Sequence, residues 1–121
     1  MNNEFSGNAI INLTFEFALE IIDFCDILEG LRKYKLSDQL FKSGTSIGAN
    51  AREAQNAESK ADFIHKFKIS AKEVEETEYW LLLCKHSTKL PDSTHLLNKL
   101  EPIKKIITKI ISTSKSSNST I

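Results

Sequence analysis

The feature that most constrains the fold is one long stripe of apolar and small side chains in the second half of the chain. Its residues recur at steps of three and four, which is the spacing of one face of an α-helix. They are Phe63, Phe67, Ser70, Val74, Thr77, Leu81 and Cys84. A helix that carries this stripe makes about seven turns. Such a face is stable in water only when it is buried against other helices.

Three further segments have the same periodicity, so the sequence predicts four helices. We place them at about residues 13–31, 37–57, 59–86 and 92–112. Ser37 is expected to cap the second helix, Ser59 the third, and Asp92 or Ser93 the fourth. No segment shows the alternation of a β-strand. Long helices with short links predict an all-α, antiparallel up-down-up-down four-helix bundle, as a single domain over residues 1–121.

Two features near the C-terminus complicate the fourth helix. Pro102 lies inside its pattern, and proline removes one backbone hydrogen bond and clashes with the preceding turn. Either the helix bends at Pro102, or a first piece ends near Lys99 and a second begins with Pro102 in its first turn. The tail, residues 113–121, is polar and rich in serine, and we expect it to be disordered.

The second helix contains two glycines, each of which costs about 1 kcal/mol in a helix relative to alanine. Gly44 lies on the buried stripe with Ala51, and Gly48 lies one turn later on its flank. Small side chains at these positions allow a neighbouring helix to come closer than usual. The sequence therefore predicts close helix packing at Gly44, Gly48 and Ala51, where dispersion contacts offset the propensity cost.

Composition excludes several classes of protein. The chain has 121 residues and a formal net charge of zero, from 16 basic and 16 acidic side chains. A free-standing nucleic-acid-binding domain is usually clearly basic. The two cysteines lie in apolar helical patterns, which indicates buried thiols in a reducing compartment. We see neither a leader sequence nor an apolar run of about 20 residues, so we expect a cytoplasmic protein without membrane contact.

Catalytic and metal chemistry find little support in the motifs. Asp62 and Asp92 each precede a histidine by three residues, at His65 and His95. Both aspartates stand at predicted helix starts, where capping and the helix dipole explain a carboxylate. Cys25 has apolar neighbours, which raise rather than lower a thiol pKa. We therefore expect no enzyme activity, no catalytic residue, no metal and no cofactor.

Lysines and one arginine form two basic clusters that are candidates for binding nucleic-acid phosphates. One cluster follows the first helix and the other lies along the fourth. The candidates are Arg32, Lys33, Lys35, Lys99, Lys104, Lys105 and Lys109. The alternative is that these side chains form an ordinary solvated helix surface. A ring of identical subunits would multiply such a patch, which favours binding if the protein is oligomeric.

The stretch from Leu36 to Leu83 resembles a known family. Its signature is Ser46-Ile47-Gly48-Ala49-Asn50 followed by Glu53-Ala54, with a second block that includes Glu76-Thr77 and Tyr79-Trp80-Leu81. It is similar to the four-helix-bundle proteins encoded in intervening sequences of bacterial large-subunit ribosomal RNA genes. Relatives of that family include the accessory variability determinant protein of diversity-generating retroelements.

The resemblance implies a bundle that assembles into a ring-shaped homopentamer. The resemblance also implies binding of nucleic acid and a reverse transcriptase, as in the retroelement relatives. Those relatives are basic, however, whereas this chain is neutral. The resemblance also implies a polar network between the second and third helices, formed by Asn50, Arg52, Glu53, Lys72, Glu73 and Glu76. Ordinary helix–helix hydrogen bonds would explain the same residues.

The sequence thus predicts a non-enzymatic homo-oligomer, pentameric by resemblance, that binds RNA or DNA through lysines of the fourth helix. The alternative is a protein scaffold or adaptor without a nucleic-acid role. In that case the acidic first helix would meet a basic partner protein. The retroelement resemblance implies a reverse transcriptase or another protein as the partner. Tyr79 and Trp80 belong either to the core or to a subunit interface, where aromatic anchors are common.

Overall fold

Four helices account for nearly all of residues 8–118, the part of the chain that the computed structural model describes. They are α1 (Ala9–Gly30), α2 (Tyr34–Ala54), α3 (Lys60–His86) and α4 (Thr94–Asn118). No strand occurs within the described residues. α1 and α3 each pack against α2 and α4, the backbones of the diagonal pairs lie farther apart, and the seam between α1 and α4 is the loosest. This arrangement confirms the predicted antiparallel bundle.

Apolar stripes from all four helices meet in one core. The predicted stripe of α3 is buried from Phe67 onward, and Phe63 is half-buried near its start. The largest fully buried side chains are Phe17, Phe67, Ile21, Leu28, Leu40, Ile47, Leu81, Leu96, Leu100, Ile103, Ile107 and Val74. Their burial is the main favourable contribution to folding, at about 1.5–3 kcal/mol for each large side chain.

Helix starts differ from the predictions where a polar side chain has another role. α1 begins four residues earlier than predicted, because the side chain of Asn8 accepts a hydrogen bond from the Ile11 amide at 3.4 Å. α2 begins at Tyr34, so Ser37 is not its cap. The Ser37 hydroxyl is buried and lies 3.3 Å from both the Cys25 carbonyl and a Glu29 carboxylate oxygen. Ser37 therefore connects α2 to α1.

At α3 the predicted cap is present. The hydroxyl of Ser59 accepts a hydrogen bond from the Asp62 amide at 3.0 Å, and Asp62 in turn accepts one from the Glu58 amide at 3.3 Å. At α4 the hydroxyl of Ser93 points into the bundle instead, and it donates to the Leu81 carbonyl at 2.5 Å. This bond fixes the start of α4 against α3.

α4 continues through Pro102 as one helix, so the alternative of two separate pieces is wrong. In the tail that we expected to be disordered, residues 113–118 extend α4, while 119–121 lie outside the described residues. Packing explains the extension. Phe63 of α3 and Ile106, Ile110 and Ser114 of α4 line one cleft of about 330 Å³, so the last turns of α4 rest on the start of α3.

Candidate interaction surfaces

Two of the four predicted α4 lysines are engaged in ion pairs that hold the bundle together. The Lys99 ammonium pairs with the Glu20 carboxylate of α1, and His95 lies 3.6 Å from the same carboxylate. The Lys104 ammonium lies 3.1 Å from Glu78 and 3.3 Å from Glu75 of α3. The hydrogen bonds that both ammonium groups donate to these carboxylates raise the pKa of both lysines. Lys99 and Lys104 therefore clamp α4 to opposite neighbours.

Lys105 and Lys109 are exposed and form no ion pair with another residue of the described chain. Across the α3–α4 seam, Ala71 and Thr108 line one cleft, which places these two residues at the same height of the bundle. The neighbouring exposed lysines of α3 are Lys68 and Lys72, one turn apart. We call Lys68, Lys72, Lys105 and Lys109 the α3–α4 lysine face. Of these four lysines, only Lys105 and Lys109 were among the residues that the sequence predicted to contact phosphates.

The other predicted basic cluster lies at the connection between α1 and α2. Arg32 has a left-handed backbone, with φ of 62°. Its amide donates to the Glu29 carbonyl at 2.9 Å, and the Lys33 amide donates to the Leu28 carbonyl at 2.8 Å. These bonds form a Schellman motif that ends α1. Lys35 begins α2 nearby, whereas Lys109 lies toward the other end of the antiparallel bundle, so the two basic clusters do not form one surface.

Three of the six residues of the predicted polar network make contacts outside that network. Asn50 donates to the Ser46 carbonyl at 2.9 Å, inside its own helix. Glu76 accepts from the Trp80 indole at 3.2 Å, also inside its own helix. Glu53 reaches across to α3, where it pairs with Lys66 at 2.9 Å. These contacts stay within a helix or involve a residue outside the predicted six, rather than joining the six together.

The remaining members of the predicted network are Arg52, Lys72 and Glu73. Arg52 lines a groove between α1 and α2. Partial burial raises the pKa of Glu73, and the adjacent carboxylate of Glu76 raises it further, while Lys72 and Lys42 oppose the shift. Glu73 is therefore destabilised as an anion, which a dedicated cation partner would have prevented.

The buried polar contacts between α2 and α3 come from small hydroxyl side chains instead. The Ser70 hydroxyl donates to the Ile47 carbonyl at 2.5 Å, and the hydroxyls of Thr77 and Ser43 lie 2.9 Å apart. Both α3 residues lie on its apolar stripe, at positions where a larger apolar side chain is usual. A small hydroxyl residue at a position where a large apolar residue is usual was the signal in the sequence. It marks a close contact between α2 and α3.

The glycines of α2 lie where it meets α1. A Cβ added at Gly44 would lie 2.9 Å from Cγ1 and Cγ2 of Ile21. A Cβ added at Gly48 would lie 3.1 Å from the hydroxyl of Thr14 and 3.4 Å from its carbonyl carbon. Ala51 on the same stripe is fully buried. α1 and α2 thus approach each other more closely than larger residues would allow.

An open apolar groove of about 250 Å³ follows this close approach on the outside of the bundle. Its floor consists of small side chains, including Ala18, Gly48 and Ala49, and Phe15 stands on its α1 side. Leu19 and Phe41 follow along the same helices at one-turn spacing, and both are about half exposed. We call this surface, which comprises the groove with Phe15, Leu19 and Phe41, the α1–α2 groove.

A second apolar surface lies on α3. Tyr79, Leu82 and Leu83 are all exposed, and we call them the α3 outer face. Trp80 beside them is half-buried and packs on the core, with its ring 5.2 Å from that of Tyr79 in an edge-to-face contact. Of the two aromatic residues whose location the sequence left open, Trp80 supports the core and Tyr79 points outward.

Both thiols are buried, and burial is the main cause of their raised pKa values. The pKa of Cys84 rises to about 11. Because the thiolate is the reactive form, we expect native Cys84 to react with a disulfide reagent at pH 8 at least about 100-fold more slowly than in urea. The native state also keeps this proton when the unfolded chain has lost it, so stability should fall as pH rises from about 9 toward 11.

Native and denatured labelling followed by mass spectrometry would measure this difference, and comparable rates would contradict it.

Within residues 8–118, no three potential metal-ligating side chains come together. None of the described helices is long and apolar enough to cross a membrane.

Comparison with known proteins agrees with this architecture. The sequence pattern of the 23S rRNA-intervening sequence protein family matches residues 7–109. No curated protein matches the chain. The crystal structure of a protein of unknown function from the S23 ribosomal protein family of Bacteroides thetaiotaomicron superposes with a TM-score of 0.80 at 39% identity, and covers 84% of this chain and 97% of its own. The chain therefore belongs to the 23S rRNA-intervening sequence protein family.

Proposed function

We propose that this protein is a non-enzymatic interaction protein that acts as a homo-oligomer in the cytoplasm. The observation that carries the proposal is its exposed apolar surface. Nine large apolar side chains of the described chain are between 39% and 57% exposed. Several of them cluster in the α1–α2 groove and on the α3 outer face, and clustered apolar surface of this kind marks an interface. The family resemblance implies a ring of five.

Light scattering after size exclusion tests the oligomer. One chain has a mass of 13.7 kDa, so five chains give 5 × 13.7, or about 69 kDa. We expect a single species near that mass which persists on dilution to micromolar concentration. A species at 13.7 kDa throughout the concentration range would contradict the proposal.

Binding of a nucleic-acid backbone is a second candidate function, and the α3–α4 lysine face favours it. Four exposed lysines from two adjacent helices form this face without an ion pair to another described residue. Ammonium groups neutralise phosphates without reading the base sequence. Repetition of the face in a ring compensates for the zero net charge of one chain, because a long strand meets several copies.

Two double variants with the same change of charge separate this face from the clamping lysines. Lys105→Gln with Lys109→Gln should weaken binding of a labelled single-stranded RNA about tenfold, and should flatten the slope of log affinity against log salt. Lys99→Gln with Lys104→Gln should leave both nearly unchanged, because those ammonium groups already pair with carboxylates. Equal losses of RNA affinity in both variants, or no wild-type binding at low salt, would reject nucleic-acid binding by the α3–α4 lysine face.

A scaffold or adaptor role is the alternative, supported by the acidic first helix, on which Asp23 and Asp26 are exposed. The partner would be a basic protein, with a reverse transcriptase as the example that the retroelement relatives provide. Such a partner should remain bound after nuclease digestion and should be lost when Asp23 and Asp26 are both replaced by lysine. Loss of the partner on nuclease treatment alone would show that nucleic acid connects it to this protein.

A further inference from the structure

We propose that the cleft between the start of α3 and the last turns of α4 binds a small organic anion with an apolar body, namely a free medium-chain carboxylate. The inference does not depend on self-association or on nucleic-acid binding. The cleft has a volume of about 330 Å³, which lies in the range of about 300–1,000 Å³ that small-molecule sites occupy. Its lining residues are Phe63, Ile106, Lys109, Ile110, Thr113 and Ser114.

The walls of this cleft are apolar and are held in place by the core. Phe63, Ile106 and Ile110 are each half-buried and pack against the hydrophobic core. The Phe63 ring stacks edge-to-face on the ring of Phe67, with centroids 5.0 Å apart, and Phe67 is itself fully buried. An apolar ligand therefore meets a preformed surface, and little side-chain freedom is lost when it binds.

Lys109 supplies a cation at the edge of these walls. No carboxylate within residues 8–118 forms an ion pair with it. Beyond Glu101, α4 contains four lysines and no acidic residue, and of these lysines Lys104 is paired with carboxylates of α3. The potential along this part of α4 is therefore positive, which favours an anionic ligand over a neutral or cationic one.

The charged groups on the α3 side of the cleft have partners of their own. Asp62 precedes Phe63 and accepts a hydrogen bond from the Glu58 amide at 3.3 Å, in the first turn of α3. Lys66 pairs with Glu53 at 2.9 Å. Neither Asp62 nor Lys66 lines the cleft, so Lys109 is the charged group that a bound ligand meets.

The position of the polar groups specifies a chain with a charged end. Thr113 stands one turn beyond Lys109, so its hydroxyl and the ammonium group can both donate to one carboxylate. The wall from Ile106 to Ser114 spans eight residues, or about 12 Å, along which an aliphatic chain can lie. The α1–α2 groove is less suited to such an anion, because its cation, Arg52, already interacts with another residue of the chain.

Isothermal titration calorimetry with three ligands of equal chain length tests the charge preference. We expect octanoate to bind at least tenfold more tightly than octanol or octylammonium. Between hexanoate and decanoate, the affinity should rise by up to about fourfold for each added methylene, because each is removed from water. Equal affinities for the three octyl compounds, or no binding of octanoate, would overturn the proposal and would leave the predicted mass of the oligomer unaffected.

Two single variants with the same change of charge separate the cleft from general attraction by the α3–α4 lysine face. Lys109→Gln should lower the affinity for octanoate at least tenfold and leave that for octanol unchanged. Lys105→Gln is the matched control, because Lys105 lies one turn earlier and does not line the cleft. It should change octanoate binding less than twofold. Losses of equal size in the two variants would show that no specific site exists.

A second pair of variants tests the location at two exposed positions. Thr113→Asp places a carboxylate in the cleft beside Lys109, and Ala49→Asp places one in the α1–α2 groove. Octanoate binding should be lost in the first and kept in the second, with circular dichroism as the check on folding. The opposite result would place the ligand in the α1–α2 groove and overturn the proposal.

Methyl NMR of the wild-type protein provides a measurement that needs no variant. Octanoate should shift the methyl signals of Ile106 and Ile110, which line the cleft, and should leave those of Ile27 on α1 in place. Shifts of equal size at all three residues would indicate adsorption over the whole surface and would contradict a site at this end of the bundle.

Discussion

Replacement of Gly44 by leucine is expected to lower the free energy of unfolding by about 3 kcal/mol or more. The first added carbon already lies 2.9 Å from two carbons of Ile21, which is itself fully buried. The rest of the leucine side chain would force α1 and α2 apart. The better helix propensity of leucine returns only about 1 kcal/mol. Urea denaturation followed by circular dichroism measures the difference.

Gly30 provides the matched control, because nothing lies within 4 Å of a Cβ added there. Gly30→Leu should be neutral or stabilising by up to about 1 kcal/mol. Gly48→Leu should fall between the two, since its Cβ meets Thr14 at 3.1 Å but the outer atoms can extend into the open groove. Equal denaturation midpoints for the Gly44 and Gly30 variants would show that the close approach of α1 and α2 does not matter.

The order of helices could be predicted because each apolar stripe records one helix face directly in the sequence. The α3 stripe is the clearest case: a period of 3.6 residues identified Phe67, Val74 and Leu81, and all three are buried. Helix ends were harder to predict. Ser37 has the right chemistry for a cap, yet its hydroxyl bonds to α1 because α2 begins at Tyr34. The chemistry of a serine hydroxyl alone does not show whether it caps its own helix or bonds to a neighbouring helix.

The interaction surfaces were less predictable, since they depend on the register between helices. Lys104 and Lys105 are adjacent in the sequence, but only Lys104 reaches the carboxylates of α3. Ala71 of α3 and Thr108 of α4 line one cleft, and Lys68 and Lys105 each lie one turn from these two residues along their own helix. Spacing within one helix carries no information about which residue of its neighbour stands at the same height. A long charged side chain therefore has a predictable helix face but not a predictable partner.

The surfaces of the two proposed functions lie on different helices. The α1–α2 groove and the α3 outer face lie on α1, α2 and α3, whereas Lys105 and Lys109 lie on α4. α4 is clamped on both sides by Lys99 and Lys104, so substitutions at Lys105 and Lys109 leave the bundle intact. Substitutions on α4 and substitutions in the groove therefore test the two proposals separately on a folded protein.

Phe67→Ala is the second change with a large expected effect, a loss of about 3–5 kcal/mol in the free energy of unfolding. Phe67 is 1% exposed and stacks edge-to-face on Phe63 with ring centroids 5.0 Å apart. Phe63→Ala is the matched control: it removes the same side chain one turn earlier, at a half-buried position beside an open cleft, and should cost about half as much. Equal losses at both positions would mean that the end of the bundle is packed as tightly as its centre, and α4 would then rest on α3 as firmly at its last turns as at Ile107.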